Sequence, residues 1–173
     1  CITSQLIIDP EAGQNDSPLL LAPAIENACI AQRWEHNPAA YDPDGDSLSY
    51  DLVPCAGFDC LPIEGFVQPN EVDGAGGEFY VEPLTGTVVW DAPQQAGEYN
   101  MALRIREWRW VAGQWRMVGE VIRDMQINVE TCPNEPPLVQ VPPDTCILQG
   151  ETLTFQVSAS DPNGDNVTVT AIG

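Results

Sequence analysis

The chain has 173 residues and a formal net charge of −20, from 26 acidic side chains against six basic ones. All six bases are arginines, at 33, 104, 106, 109, 116 and 123, which excludes nucleic acid and anionic bilayers as partners because both need clustered cations; the acidity attracts cations instead, or is carried by a fully hydrated surface. At 43% hydrophobic residues the chain can bury a core, and no run approaches the roughly 20 apolar residues of a membrane helix, so no membrane insertion is expected.

In chain order, residues 1–17 read as the tail or linker of a preceding repeat, closing at Asp16-Ser17-Pro18. Trp34 and Trp90 are assigned to a core. Phe79-Tyr80-Val81 and Val88-Val89-Trp90 read as strands joined by the turn Pro83-Leu84-Thr85-Gly86-Thr87. In 100–111, Met101, Leu103, Ile105 and Val111 share one face; after it, Trp115, Met117, Val121, Met125, Ile127 and Val129 share another. A three-residue turn, Ala112-Gly113-Gln114, pairs these strands with Val111 opposite Trp115 and Ile105 opposite Val121, both inward. On the outer face that register sets Trp110 against Arg116 and Arg106 against Glu120. Leu153, Phe155, Val157 and Ala159 alternate with polar residues and form a further strand. No helical period extends beyond two turns.

An internal repeat organises the chain. DPDGDSLSY at 42–50 recurs as DPNGDNVTV at 161–169, Pro18-Leu19-Leu20 as Pro137-Leu138-Val139, and Cys29-Ile30-Ala31-Gln32 as Cys146-Ile147-Leu148-Gln149. The period of about 117–119 residues is that of whole domains, not of solenoid units. The fold expected is all-β: tandem immunoglobulin-like or cadherin-like sandwich repeats, one complete (18–131) and one partial (137–173), joined by a proline-rich linker at 132–136. Beginning at Cys1 and stopping at Gly173 within a repeat, the chain reads as an excerpt of a longer one.

The six cysteines, at 1, 29, 55, 60, 132 and 146, contain no CxxC, and the single His36 has no cysteine within four residues. That is disulfide chemistry of an oxidising compartment, not a structural zinc site. Equivalent positions in successive repeats should pair equivalently, giving Cys1–Cys29 and Cys132–Cys146, with Cys55–Cys60 as a small loop staple.

Two constellations carry chemistry. In Asp42-Pro43-Asp44-Gly45-Asp46 alternate carboxylates can converge on one hard cation, and Asp161, Asn163 and Asp165 repeat the oxygen donors. Calcium is the ion expected, with Glu130, Asn134 and Glu135 as linker oxygens for the second site; the alternative is a plain polar turn. It is not an EF-hand, because Val53 occupies the twelfth position, where a bidentate Glu is required. The other constellation is Trp108 and Trp110 with Arg104 and Arg106 on one outer face, either a glycan platform or a row packed by cross-strand contacts. No nucleophile motif or phosphate loop occurs, and no enzyme is expected.

Asn37-Pro38-Ala39-Ala40-Tyr41 running into DPDGDSLSY, PLTGTVVWDAPQQAGEYN (83–100) and VGEVIRDMQINV (118–129) resemble repeats in large secreted proteins of gliding Bacteroidetes, exported by the type IX system. DPDGD and LTGT are shared more broadly with bacterial cadherin-like domains. The resemblance implies a sandwich fold, export to the cell surface and an adhesive or fibre role; with the Asp and Cys readings above, the expected function is a calcium- and disulfide-stiffened module of an adhesin or filament. Its partners would be neighbouring repeats, further copies in a fibre, or a surface glycan; the alternatives are a carbohydrate-binding module and an accessory domain of a secreted hydrolase. In cadherin-like relatives the matching acids, here Asp42 and Asp44, bind calcium; the cadherin linker DxNDN is replaced by Pro133-Asn134-Glu135-Pro136.

Overall fold

The computed structural model describes residues 2–58, 60–135, 137–142, 146–148 and 150–170. Strands dominate it, with one short 3-10 turn at Pro69–Glu71. Two compact units emerge, Cys1–Thr131 and Cys132–Gly173.

The first unit is built on a long antiparallel hairpin. Strand β9 (Gly97–Val111) pairs with β10 (Gln114–Glu130), and β6 (Ser47–Val53) lies on the other edge of β9. The free edge of β10 is shared by two strands. β1 (Ile2–Leu6) runs antiparallel to its first half, and β3 (Ile25–Cys29) runs parallel to its second half. A second sheet contains β4 (Trp34–His36), β8 (Val88–Asp91) and β7 (Glu78–Val81) in that order. Alternation on the two sheets supplies one apolar cluster between them: Trp34, Val88 and Trp90 from the smaller, Met101, Leu103, Ile105, Met125, Ile127 and Val129 from the larger. Trp90 anchors it, edge-on to both Phe79 and Tyr99, its indole N–H donating to the Gly76 carbonyl at 2.9 Å.

His36 is buried beside this core. Arg123, only 4% exposed, donates to its Nε2 at 3.3 Å, so the ring proton sits on Nδ1, 2.8 Å from Glu26 Oε1. Burial makes the Arg123 guanidinium easier to deprotonate than usual, and the Glu26 charge works the other way.

Three expectations are corrected here. Residues 2–17 are not a separate tail: β1 is a strand of the main sheet, and Arg116 ties Asp9 at 2.9 Å and Glu11 at 2.7 Å to β10. The hairpin turn has two residues, not three. Ala112 and Gly113 both take left-handed angles (φ 49° and 84°), the geometry that matches strand twist in a two-residue turn. Val111 therefore faces Gln114, and Trp110 faces Trp115 where Arg116 was expected. A β-bulge between Met117 and Gly119 then inserts one residue and restores Arg106 opposite Glu120 and Ile105 opposite Val121. Trp115 and Met117 consequently lie with Trp110 and Trp108 on the outer face, while Val121, Met125, Ile127 and Val129 stay inside.

The disulfide pairing is corrected too. Cys29 is bonded to Cys132. Parallel pairing sets Cys29 opposite Glu130, which delivers Cys132, two residues on, to the end of β3. Cys29 thus has a partner other than Cys1, which lies outside the described residues, and Cys132 one other than Cys146, an exposed thiol. Nor is Cys55 bonded to Cys60. It is a free thiol turned inward at 4% exposure, whereas Cys60 sits on an exposed turn. Burial, and then the nearby Asp124 charge, push the Cys55 thiol up to about 11.

Among the described residues of the second unit, β11 (Leu138–Gln140) pairs antiparallel with β12 (Ser158–Ser160). Its register reproduces that of β2 (Leu19–Leu20) with β5 (Ala40–Tyr41): Leu19 faces Tyr41 as Leu138 faces Ser160, and Leu20 faces Ala40 as Val139 faces Ala159. Among the described residues, no strand covers Leu153, Phe155 or Val157, which are 43%, 55% and 37% exposed.

Candidate metal centre

Asp42 folds its own loop. Its Oδ1 accepts from the backbone N–H of Asp44 at 3.0 Å and of Asp46 at 2.9 Å, and its carbonyl accepts from Gly45 at 3.3 Å. This is the aspartate turn that short Asp/Gly sequences favour, and it turns the three carboxylates to one side. One ligand oxygen from each of Asp42, Asp44 and Asp46 lies within 4.8 Å of the others. The second copy is wired alike. Asp161 Oδ1 accepts from Asn163 at 2.8 Å and Asp165 at 3.2 Å, and its carbonyl accepts from Gly164 at 3.1 Å. Even the clasp from upstream recurs: Asp16 N–H donates to Asp44 Oδ2 and Glu135 N–H to Asn163 Oδ1, each at 2.7 Å and each across 28 residues.

In the first unit strand β9 brings two more ionisable groups to the loop. Alternation that puts Leu103 and Ile105 inside continues through Glu107 and Arg109. Arg109 grips Asp46 with two bonds, Nε at 2.7 Å and Nη2 at 2.6 Å, and reaches Asp44 at 3.3 Å. It also holds the preceding loop through the Ala12 and Gln14 carbonyls and Asn15 Oδ1, at 2.9, 2.8 and 2.9 Å. These hydrogen bonds, those of Asp46 foremost, keep the guanidinium firmly protonated.

Glu107 is fully buried. Its Oε2 accepts from Asn15 Nδ2 at 3.3 Å, while Oε1 has no hydrogen-bond partner among the described residues; the same is true of Asp42 Oδ2, on a residue 6% exposed. The two carboxyls face one another, acid to acid, and a hydrogen bond between them exists only while one of them keeps its proton. Burial first, then Asp42, raises the Glu107 carboxyl to about 8. Ionised oxygens placed this way need a proton or a cation between them. A cavity of about 520 Å³, lined by Asn15, Asp16 and Asp44 among others, opens beside the loop.

The residues foreseen from sequence distribute as follows. Asp42, Asp44 and Asp46 converge; Asp161, Asn163 and Asp165 repeat the turn on a more exposed surface. Glu130 is the exposed last residue of β10, and Glu135 meets the second turn through its backbone N–H. Asn134 bonds the Glu135 carbonyl at 3.1 Å. Arg104 and Arg106 are engaged in an outer-face network with Asp51 and Glu120. Trp108 is half-buried, its indole N–H held by Ser49 Oγ at 2.8 Å, and Trp110 stands exposed against Trp115 at a ring angle of 71°. Glu107 and Arg109 were missed. The inward face of β9 was the signal for both, and Gly119 opposite Glu107 was a second.

Comparison with known proteins finds no matching family model, no matching curated protein and no matching solved structure.

Proposed function

We propose that the chain is a non-enzymatic module of a secreted cell-surface adhesin or extracellular filament, an immunoglobulin- or cadherin-like repeat in which calcium and a disulfide hold loops to the sandwich. The observation that carries the reading is the buried, unpartnered pair of oxygens, Asp42 Oδ2 and Glu107 Oε1, at a loop whose other carboxylates already converge. All the donors are hard oxygens, the set that calcium accepts and that zinc or copper sites seldom use alone. The recurrence of the turn, its clasp and the adjoining strand register in both units supports a repeat architecture. The Cys29–Cys132 bond supports an oxidising compartment.

Calcium bound here would join the Asp42 loop to β9, so the benefit is mechanical: loop and sheet move as one. The test is thermal unfolding of the whole chain in calcium and then in chelator. At a hundred times its dissociation constant calcium adds about 2.7 kcal/mol, a rise of roughly 10 °C for a unit of this size. Coincident curves in the two buffers would contradict the reading.

A further inference from the structure

Glu107 does not belong to the Asp42–Asp46 loop; it lies on the middle of β9 in a position that alternation reserves for the core. A buried acid is kept in a sandwich at a large cost unless something neutralises it. The arginine next to it is committed elsewhere, its Nε and Nη2 on Asp46 and its Nη1 on two carbonyls. Asn15 supplies a single neutral donor to Oε2.

The surrounding backbone is shaped to admit this carboxylate. Directly opposite Glu107 on β10 stands Gly119, where a Cβ would lie 1.7 Å from Glu107 Oε2 and 3.1 Å from Asn15 Nδ2. The bulge between Met117 and Gly119 is what brings the glycine into that place. A side chain there would evict the acid. The glycine, the bulge and the buried acid thus form one arrangement, and strand bulges recur beside functional sites because they re-aim side chains.

Resting on the calcium reading above, we infer that Glu107 is the inner ligand of a divalent-cation site, closing with Asp42 Oδ2 a coordination shell whose outer side is Asp44 and Asp46. Arg109 then acts as a positioning residue. It fixes Asp46 and leaves one face of the aspartate loop, the face toward Glu107, for the metal.

Glu107→Gln tests it in the full chain, read by calcium titration calorimetry and by melting in chelator. The amide keeps the shape and the Asn15 contact, and it offers Asp42 a donor. Calcium affinity should fall by about tenfold or more, because ligand charge sets affinity at such sites, while in chelator the variant should melt at or above the parent's temperature. Gly119→Ala, which keeps every charge and crowds the carboxylate, should also lose calcium affinity. Unchanged affinity in Glu107→Gln while the parent binds calcium would overturn the assignment and leave the calcium reading standing. A lower melting temperature of Glu107→Gln in chelator would overturn it as well, since Glu107 would then be serving the apo fold. A parent that binds no calcium would end both.

Discussion

Asp42 and Asp161 cap their turns with the same bonds, yet Asp42 is 6% exposed beneath β9 and Asp161 is only partly covered. The same contrast runs through the apolar residues. Trp34 and Tyr50, which precede and follow the first turn, are 6% and 8% exposed, whereas the matching Leu153 and Val169 are 43% and 52% exposed. The turn and its neighbouring register are therefore local products, made by an aspartate that accepts its own loop's N–H groups and by short strands that pair beside it. Burial is not local. It comes from β8, paired with β4 at Trp34, and from β9, paired with β6 at Tyr50, both 40 or more residues from the first turn along the chain. Both turns close through the same local bonds, and in the first unit β9 adds a buried acid and an arginine clamp.

Removing the cross-link should produce the largest separation between the regions. Cys29→Ala opens a loop of roughly 100 residues, for which the chain-entropy account gives about 4–5 kcal/mol. The first unit's unfolding transition should move down markedly in denaturant titration followed by tryptophan fluorescence. Reductant should do the same to the parent and nothing further to the variant. An unchanged midpoint would mean that the β3–β10 ladder is held without the bond.

A smaller effect should distinguish the two cores. Leu103→Ala, at a fully buried site between the sheets, should cost about 2–5 kcal/mol through lost burial and the cavity left behind. Phe155→Ala, 55% exposed, should shift the same transition by less than about 0.5 kcal/mol. Equal costs would mean that the second unit has a covered apolar face after all.

Much of this was legible in the chain itself. The repeated Asp-Pro-Asp/Asn-Gly-Asp, the alternation of Met101, Leu103 and Ile105, and the core places of Trp34 and Trp90 all follow from spacing, because a turn and a half-buried strand write their periods into neighbouring residues. The hairpin register was readable beyond the bulge, at Ile105 and Val121, and misread before it, because a two-residue left-handed turn and one inserted residue cancel further along. Neither Ala112 nor Val118 announces that role by type. The Cys29–Cys132 bond depends on β3 lying parallel to β10, a fact of topology that no local pattern carries. Glu107 was hidden for another reason. An acid among arginines and tryptophans reads as part of a charged outer face, and only strict parity with Ile105 turns it inward.

The most direct measurement is a crystal structure of the calcium-replete chain at a wavelength where calcium scatters anomalously. A single anomalous peak bounded by Asp42 Oδ2 and Glu107 Oε1, with oxygens at about 2.3–2.6 Å, is the predicted result. Ordinary water at that point, in crystals grown with calcium in excess, would contradict the assignment of these two buried oxygens.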